Sequence, residues 1–179
     1  MDYYYFVAAL PMINTFESKP PLSVASFLKE ARQLLEREDF ILTENLLTED
    51  KRLRTKNDFY NAWKTFEHNL KNELAYIRAQ RANRDPLDYL RGERVWDPQL
   101  TEIIQEALRA PHLLAAEKIL DQRKWEHIER FSSGHYFDAV FVFAYGLKLK
   151  ILQRYENINS AEGIEKLEEY KKIGQEVTI

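Results

Sequence analysis

The sequence predicts an all-α fold, in which antiparallel helical hairpins form one or two lobes. Apolar residues recur at every third or fourth position over long segments, which is the period of a helix that packs on one face. Only 5 of the 179 residues are glycine and 6 are proline, which disfavours a loop-rich all-β fold. Capping residues precede several of these segments and mark where the helices begin.

Two capping signals define the helices of the first half. Ser23 caps a helix over 24–39, and a short helix over 40–47 follows. After a charged connector, Asn57 caps a long helix that runs to about residue 81. The apolar stripe of this helix consists of Phe59, Trp63, Phe66, Leu70, Leu74 and Ile77.

A linker over 81–99, with one helical turn, separates this helix from the second half. Asp97 is a capping carboxylate with proline directly after it, so a helix over 98–109 is expected. Pro111 opens the next helix, which the pattern interrupts near Leu120. Together these signals predict three helical segments before residue 132.

Gly134 suits the left-handed position that ends a helix. From Tyr136 the apolar spacing predicts five helical turns, up to Tyr155. Gly146, within these turns, costs the helix roughly 1 kcal/mol relative to alanine, which predicts that another helix crosses closely there. Ser160 then caps a last short amphipathic helix, which carries Ile164 and Leu167.

Two apolar stretches invite a membrane interpretation that their charges disfavour. The N-terminal run has Asp2 and no basic residue before it, and it is too short to cross a bilayer. The apolar run over 137–152 contains Asp138, Lys148 and Lys150, each of which costs roughly 2.5–3.5 kcal/mol at a bilayer centre. Residues 3–10 are therefore expected to be a buried segment, either strand or helix.

The length fits a single helical domain over 1–179, either undivided or built from two lobes. The two lobes would be 1–85 and 95–179, linked by 86–94. LLEREDF at 34–40 and ILDQRKW at 119–125 share a pattern that a duplicated helical hairpin would leave.

Composition excludes several classes of function. The chain has 26 basic and 29 acidic residues, so no global field draws it to nucleic acid or to an anionic membrane. It contains no cysteine, which excludes a disulfide scaffold, a cysteine zinc site and a thiol nucleophile. A cytoplasmic location fits this composition.

The sequence predicts no catalytic residue, no metal site and no cofactor. It lacks HExxH, GxSxG, GxGxxG and P-loop motifs. A metal-dependent hydrolase using His127 and His135 is an alternative, but a metal site needs three or four converging ligands, which this spacing does not supply. We expect these two residues, with His68 and His112, to be surface or helix-end histidines.

An arginine-rich segment from Arg78 to Arg94 is the candidate binding region. Its arginines and interleaved aromatic residues could stack on nucleic-acid bases, or could bind an acidic protein partner. They also complement the negative end of a helix dipole, and nearby acids neutralise most of the charge. Because tryptophan and arginine dominate interface hot spots, the candidate partner-binding residues are Arg91, Arg94 and Trp96.

Two segments resemble a known family. YYYFVAALPMI, residues 3–13, resembles the start of an uncharacterised family encoded in bacterial V-type ATP synthase gene clusters, whose members open with Tyr-Tyr-Tyr-aliphatic-Val-Ala-Ser-Leu-Pro. Ala9 stands where the family has serine. AEKILDQRKWEHIERFSSGHYFDAVFVFAYGLKLKILQRY, residues 116–155, resembles the family's other marked segment.

The resemblance extends to the funnel-shaped adaptor protein in the central stalk of A/V-type rotary ATPases, which we call the stalk adaptor. Asn72, Arg78 and Ala79 are similar to the Asn…Arg-Ala-Lys helix end of the stalk adaptor's lobes, with Gln80 where lysine is usual. A second helix, in which a tyrosine precedes a Lys-x-x-Glu-x-Arg-Asn run, is matched by Tyr145, Lys148 and Arg154, although its acidic position is not clearly filled.

The stalk adaptor is all-helical and couples the central stalk to the membrane rotor ring. The resemblance therefore implies a non-catalytic central-stalk protein that takes part in proton or ion transport. Its partners would be the other proteins of the stalk and the rotor ring, and it would be cytoplasmic, reaching the membrane only through the complex. A full stalk adaptor has about three lobes, roughly twice what a chain of this length holds.

Overall fold

The fold is all-α, as the sequence predicts. The computed structural model describes residues 3–48 and 52–159, and within them every regular element is a helix. The helices are α1 (Tyr4–Ala9), α2 (Val24–Leu34), α3 (Arg37–Thr48), α4 (Asp58–Arg81), α5 (Pro98–Arg109), α6 (Leu113–Ser132) and α7 (Ala139–Asn159). A 3-10 helix, Pro86–Tyr89, lies in the linker between α4 and α5. No helix in these ranges is long and apolar enough to cross a membrane.

The chain forms two compact units, and the first is discontinuous in sequence. Unit 1 combines 1–49 with 135–179, whereas unit 2 is the segment 50–134. The lobes predicted at 1–85 and 95–179 follow chain order, so the compact units divide the chain differently. The physical reason is pairing, because α7 packs with α2 and α3, while α4 packs with α5.

Helix α7 is the central element of unit 1. It is buried on all sides from Val142 to Leu147, as expected of a helix that neighbours surround. A Cβ on Gly146 would lie 2.9 Å from Phe27 of α2 and 3.1 Å from Leu47 of α3. The close helix crossing predicted at Gly146 is therefore confirmed.

The N-terminal segment is a helix, α1, so the strand alternative for residues 3–10 was wrong. Its inner face buries Phe6 and Val7, and the Phe6 ring lies 5.8 Å from that of Phe27. Tyr3, which precedes the helix, donates a hydrogen bond of 2.5 Å from its hydroxyl to Asp39 of α3. Tertiary contacts of this kind outweigh the modest strand preference of tyrosine and phenylalanine.

Unit 2 is built around α4. Glu73 of α4 accepts a hydrogen bond from Thr101 near the start of α5, and Arg81 at the end of α4 donates to the carbonyl of Leu108 at the end of α5. The two helices therefore run in the same direction, so this pair is not an antiparallel hairpin. The arrangement requires the linker to return along the C-terminal part of α4.

Several helix boundaries differ from the sequence-based prediction. Helix α2 stops at Leu34, before the expected end, and α6 continues through Leu120 without a break. Helix α7 begins after Tyr136, because the Asp138 carboxylate accepts a hydrogen bond from the Phe141 amide and sets the start. The pattern shared by 34–40 and 119–125 spans a helix break in one copy and lies within α6 in the other. The helix predicted after Ser160 lies outside the described residues.

Candidate protein interface: the linker of unit 2

The linker between α4 and α5 has an ordered path that its own residues define. Asn83 and Gly92 adopt positive φ angles of 53° and 76°, which turn the chain. Asp85 then caps the 3-10 helix, since its carboxylate accepts a hydrogen bond from the Leu87 amide at 2.9 Å. Arg84 donates to the Tyr89 hydroxyl at 3.0 Å. Four local constraints thus fix a segment that has little core of its own.

Asn72, buried on α4, binds the backbone of the linker. Its side-chain oxygen accepts from the Arg91 amide at 3.0 Å, and its side-chain nitrogen donates to the Arg91 carbonyl at 3.1 Å. The same nitrogen lies 3.4 Å from the Glu93 carbonyl. A buried amide that replaces strand-like backbone partners satisfies groups that would otherwise stay unpaired.

Glu73, the next residue, binds the linker through its side chain. Its carboxylate accepts two hydrogen bonds from Arg94, at 2.7 and 2.9 Å, and one from the Thr101 hydroxyl at 2.7 Å. The Arg94 guanidinium also lies over the Tyr76 ring, 3.8 Å from its centre. Bidentate pairing of this kind adds geometric specificity to the attraction between charges.

The protonation of this pair follows from its surroundings. Burial by itself would raise the pKa of Glu73, but the hydrogen bonds from Arg94 and Thr101 and the Arg94 charge outweigh burial and lower it. The hydrogen bond with Glu73 raises the pKa of Arg94. Both groups are therefore charged across the physiological range.

The linker displays apolar side chains to solvent. Trp96 is 65% exposed and Leu87 is 70% exposed. Tyr89 and Val95 are also exposed. We call these four residues, Leu87, Tyr89, Val95 and Trp96, the linker surface. Large apolar side chains that are held in fixed positions and exposed together are typical of interaction sites.

The structure assigns different roles to the three predicted partner-binding residues. Trp96 belongs to the linker surface, and the Arg91 side chain is exposed while its backbone binds Asn72. Arg94 instead pairs with the buried Glu73, so its charge is compensated within unit 2. Their role in binding a partner stays a prediction.

Sequence reasoning missed Asn72 and Glu73 as the residues that hold the linker. One signal was available for Glu73: it falls on the apolar stripe of α4, between Leu70 and Ile77, where a charge requires a partner. The arginines of the following linker supply that partner. For Asn72 the only signal was its similarity to the helix end of the stalk adaptor's lobes.

A groove of about 810 Å³ lies between α5 and α6. Its lining includes Ile103 and Ile119, together with the basic Arg109 and the acidic Glu106 and Glu126. Charges of both signs border an apolar floor, which selects no ligand of one charge. We therefore place the candidate interface at the linker.

His127 lies in an aromatic cluster of unit 2. Its ring stacks on Phe66 with centres 3.8 Å apart and also contacts Phe131. Burial lowers the pKa of His127 to about 4, and the charges of Arg130 and Arg123 contribute further. The Nε2 atom is buried and has no hydrogen-bond partner among the described residues. The ring is therefore a neutral part of the core.

This environment predicts that acid destabilises the protein through His127. The unfolded chain gains a proton near pH 6.5 and the folded state only near pH 4, so stability is complete above pH 6.5 and is lost as the pH falls. We expect a loss of roughly 1–2 kcal/mol between these values, discounted for partial exposure of the ring. Urea unfolding at pH 7 and 4.5 measures it.

The matched variants are His127→Phe, which keeps the stacked ring, and His112→Asn, which keeps a capping side chain. The His127→Phe protein should lose less stability on acidification than the wild type, and the His112→Asn protein should behave as the wild type does. Equal losses in all three proteins would contradict the burial of a neutral His127.

The other histidines have local roles. His112 accepts a hydrogen bond from the Ala115 amide at 3.1 Å and so caps α6. His135 contacts the Asp138 carboxylate, and His68 contacts Asn72. Within 3–48 and 52–159 no group of three metal-binding side chains is arranged to hold an ion.

The fold and the linker describe an all-α protein whose clearest candidate site is a protein-binding surface. A family model described as "Protein of unknown function (DUF2764)" matches residues 97–175, which is somewhat less than half of the chain. The matched part contains α5, α6 and α7. No curated protein and no solved structure gives a significant match.

Proposed function

We propose that this protein is a non-catalytic adaptor in the central stalk of a V/A-type rotary ATPase, which couples the stalk to the membrane rotor ring. The supporting observation joins sequence and structure. The two segments that resemble the V-type gene-cluster family, 3–13 and 116–155, meet in unit 1. The Tyr145 hydroxyl donates to the Pro11 carbonyl at 2.8 Å, and the Tyr4 ring stacks on Phe137 with centres 4.2 Å apart.

The packing of unit 1 suits a protein that transmits force. The central helix α7 is buried on all sides, and Phe27 and Leu47 approach Gly146 closely, so α7 has little room to shift. A coupling element needs such rigidity, because a deformable element would absorb torque. The function needs docking surfaces in addition, and the linker surface is the strongest candidate.

The proposal is tested by tagging the full chain in its native cell and purifying it under mild conditions, followed by mass spectrometry. Proteins of the ATPase stalk or rotor ring should be recovered in a fixed ratio to the tagged chain. A Trp96→Ser variant should recover fewer of them, while Leu113→Ser, at an exposed position on α6 outside the linker, should recover as many. Purification of the wild type without any ATPase protein would contradict the proposal.

The alternative is a helical module that binds nucleic acid or another protein through the Arg78–Arg94 segment. Its nucleic-acid form has little physical support, because Arg94 pairs with Glu73 and Arg81 donates to the Leu108 carbonyl. Binding to a generic oligonucleotide at low salt, weakened by Arg78→Ala and Arg84→Ala, would favour it.

A further inference from the structure

We propose that the linker surface binds a partner surface with an apolar centre and a basic rim. This inference deepens the adaptor role and rests on it for the identity of the partner. The chemistry differs from that predicted by the sequence alone, in which the arginines suggested an acidic partner.

The charge of the linker changes sign once its internal pairing is known. Arg94 is held by Glu73, an acid that lies outside the linker, so its charge is compensated. Arg84 and Arg91 remain as the basic residues of the segment 82–97. The carboxylates of the same segment are Asp85, Asp88, Glu93 and Asp97. The field around the linker surface is therefore acidic, and complementary potentials favour a basic partner.

The position of the carboxylates strengthens this argument. Asp88 and Glu93 are exposed and flank the apolar residues in sequence, Asp88 next to Tyr89 and Glu93 two residues before Val95. Asp97 follows Trp96 directly, and its carboxylate caps α5. An apolar centre with charges at its edge is the usual organisation of a protein interface.

Trp96 gives a second, independent reason for a basic partner. Its indole is 65% exposed, so a ring face is accessible to solvent. A lysine or arginine that packs over a tryptophan face gains roughly 0.5–1 kcal/mol at exposed sites and more when desolvated. An acidic side chain gains nothing there, because the face of the ring is itself electronegative.

The linker surface is also ordered before any partner binds. Asn72 fixes the Arg91 backbone, Glu73 fixes Arg94, and Asp85 caps the short helix that carries Leu87 and Tyr89. A partner therefore does not have to bear the entropic cost of ordering the segment. Ordering of this kind distinguishes a docking surface from a mobile connector.

The test is site-specific photo-crosslinking in the native cell, with the full chain. The photo-reactive p-benzoylphenylalanine replaces Val95, which leaves Trp96 intact, and in a control chain it replaces Leu113. Crosslinked peptides are identified by mass spectrometry. The Val95 position should give crosslinks, absent from the control, to a segment whose apolar residues are flanked by lysine or arginine.

Charge variants show whether the acidic rim matters. Combined Asp88→Lys and Glu93→Lys changes should reduce the crosslink yield at least about fivefold, whereas Arg84→Glu with Arg91→Glu should leave it unchanged or raise it. These side chains are exposed, so circular dichroism of each variant should match that of the wild type.

The outcomes separate this inference from the adaptor proposal. A basic, apolar segment of a stalk or ring protein would support both, and one from an unrelated protein would support only the inference. Crosslinks to an acidic segment, or none specific to Val95, would overturn the inference, as would equal yields from both charge variants. Co-purification of ATPase proteins would support the adaptor role even then.

Discussion

Replacing Glu73 with glutamine is expected to lower the free energy of unfolding by about 3 kcal/mol. Glu73 is only 1% exposed, and removing its charge leaves the Arg94 guanidinium, which is 23% exposed, without its ionic partner. Breaking a buried ion pair from one side typically costs about 3–5 kcal/mol, and the partial exposure of Arg94 reduces this value. The Thr101 hydroxyl also loses a charged acceptor.

Urea unfolding followed by circular dichroism measures the effect, with Glu102→Gln, an exposed acid of α5, as the matched control. The control should change stability by less than about 0.5 kcal/mol. The double variant Glu73→Gln, Arg94→Met should be more stable than Glu73→Gln alone, because it removes the uncompensated charge. A Glu73→Gln protein as stable as the control would contradict the pairing.

Replacing Gly146 with leucine is expected to cost about 3 kcal/mol, and replacing it with alanine about 1 kcal/mol. The first Cβ would already lie 2.9 Å from the Phe27 ring, so α2 or α7 must shift. Inserting carbon atoms into a packed core costs roughly 1–3 kcal/mol, and alanine recovers about 1 kcal/mol of helix propensity. The two effects partly cancel for alanine and do not for leucine.

Thermal and urea unfolding of the two variants give the size of each effect. Ala25→Leu, at an exposed position of α2, adds a larger side chain without crowding and serves as the control. The expected order of stability is wild type and control, then Gly146→Ala, then Gly146→Leu. A Gly146→Ala protein more stable than the wild type would mean that α2 and α3 yield to the added methyl group.

Local signals predicted much of the fold. Helices α4 and α5 occupy the expected ranges, because Asn57 and Asp97 cap them with side chains that accept backbone hydrogen bonds. The exposure of Trp96 also agrees with its prediction as a surface residue. In each case the deciding interactions lie within four residues along the chain, where sequence patterns carry information.

Long-range pairing was harder to foresee. The Glu73–Arg94 contact joins residues on different elements, and it converts an apparently free arginine into a structural one. The pairing of α7 with α2 depends on contacts such as that between Gln153 and the Val24 amide, which no local pattern indicates. Such contacts decide both the composition of the units and the sign of the exposed charge at the linker.

The discontinuity of unit 1 has a consequence for synthesis on the ribosome. Leu47 leaves the ribosome about a hundred residues before Gly146, and at roughly 5–20 residues per second this delay lasts about 5–20 s. During that time α1, α2 and α3 have no α7 to cover their apolar faces, whereas unit 2 emerges with all its helices in one stretch. The N-terminal helices of the nascent chain are therefore the segment most in need of a chaperone.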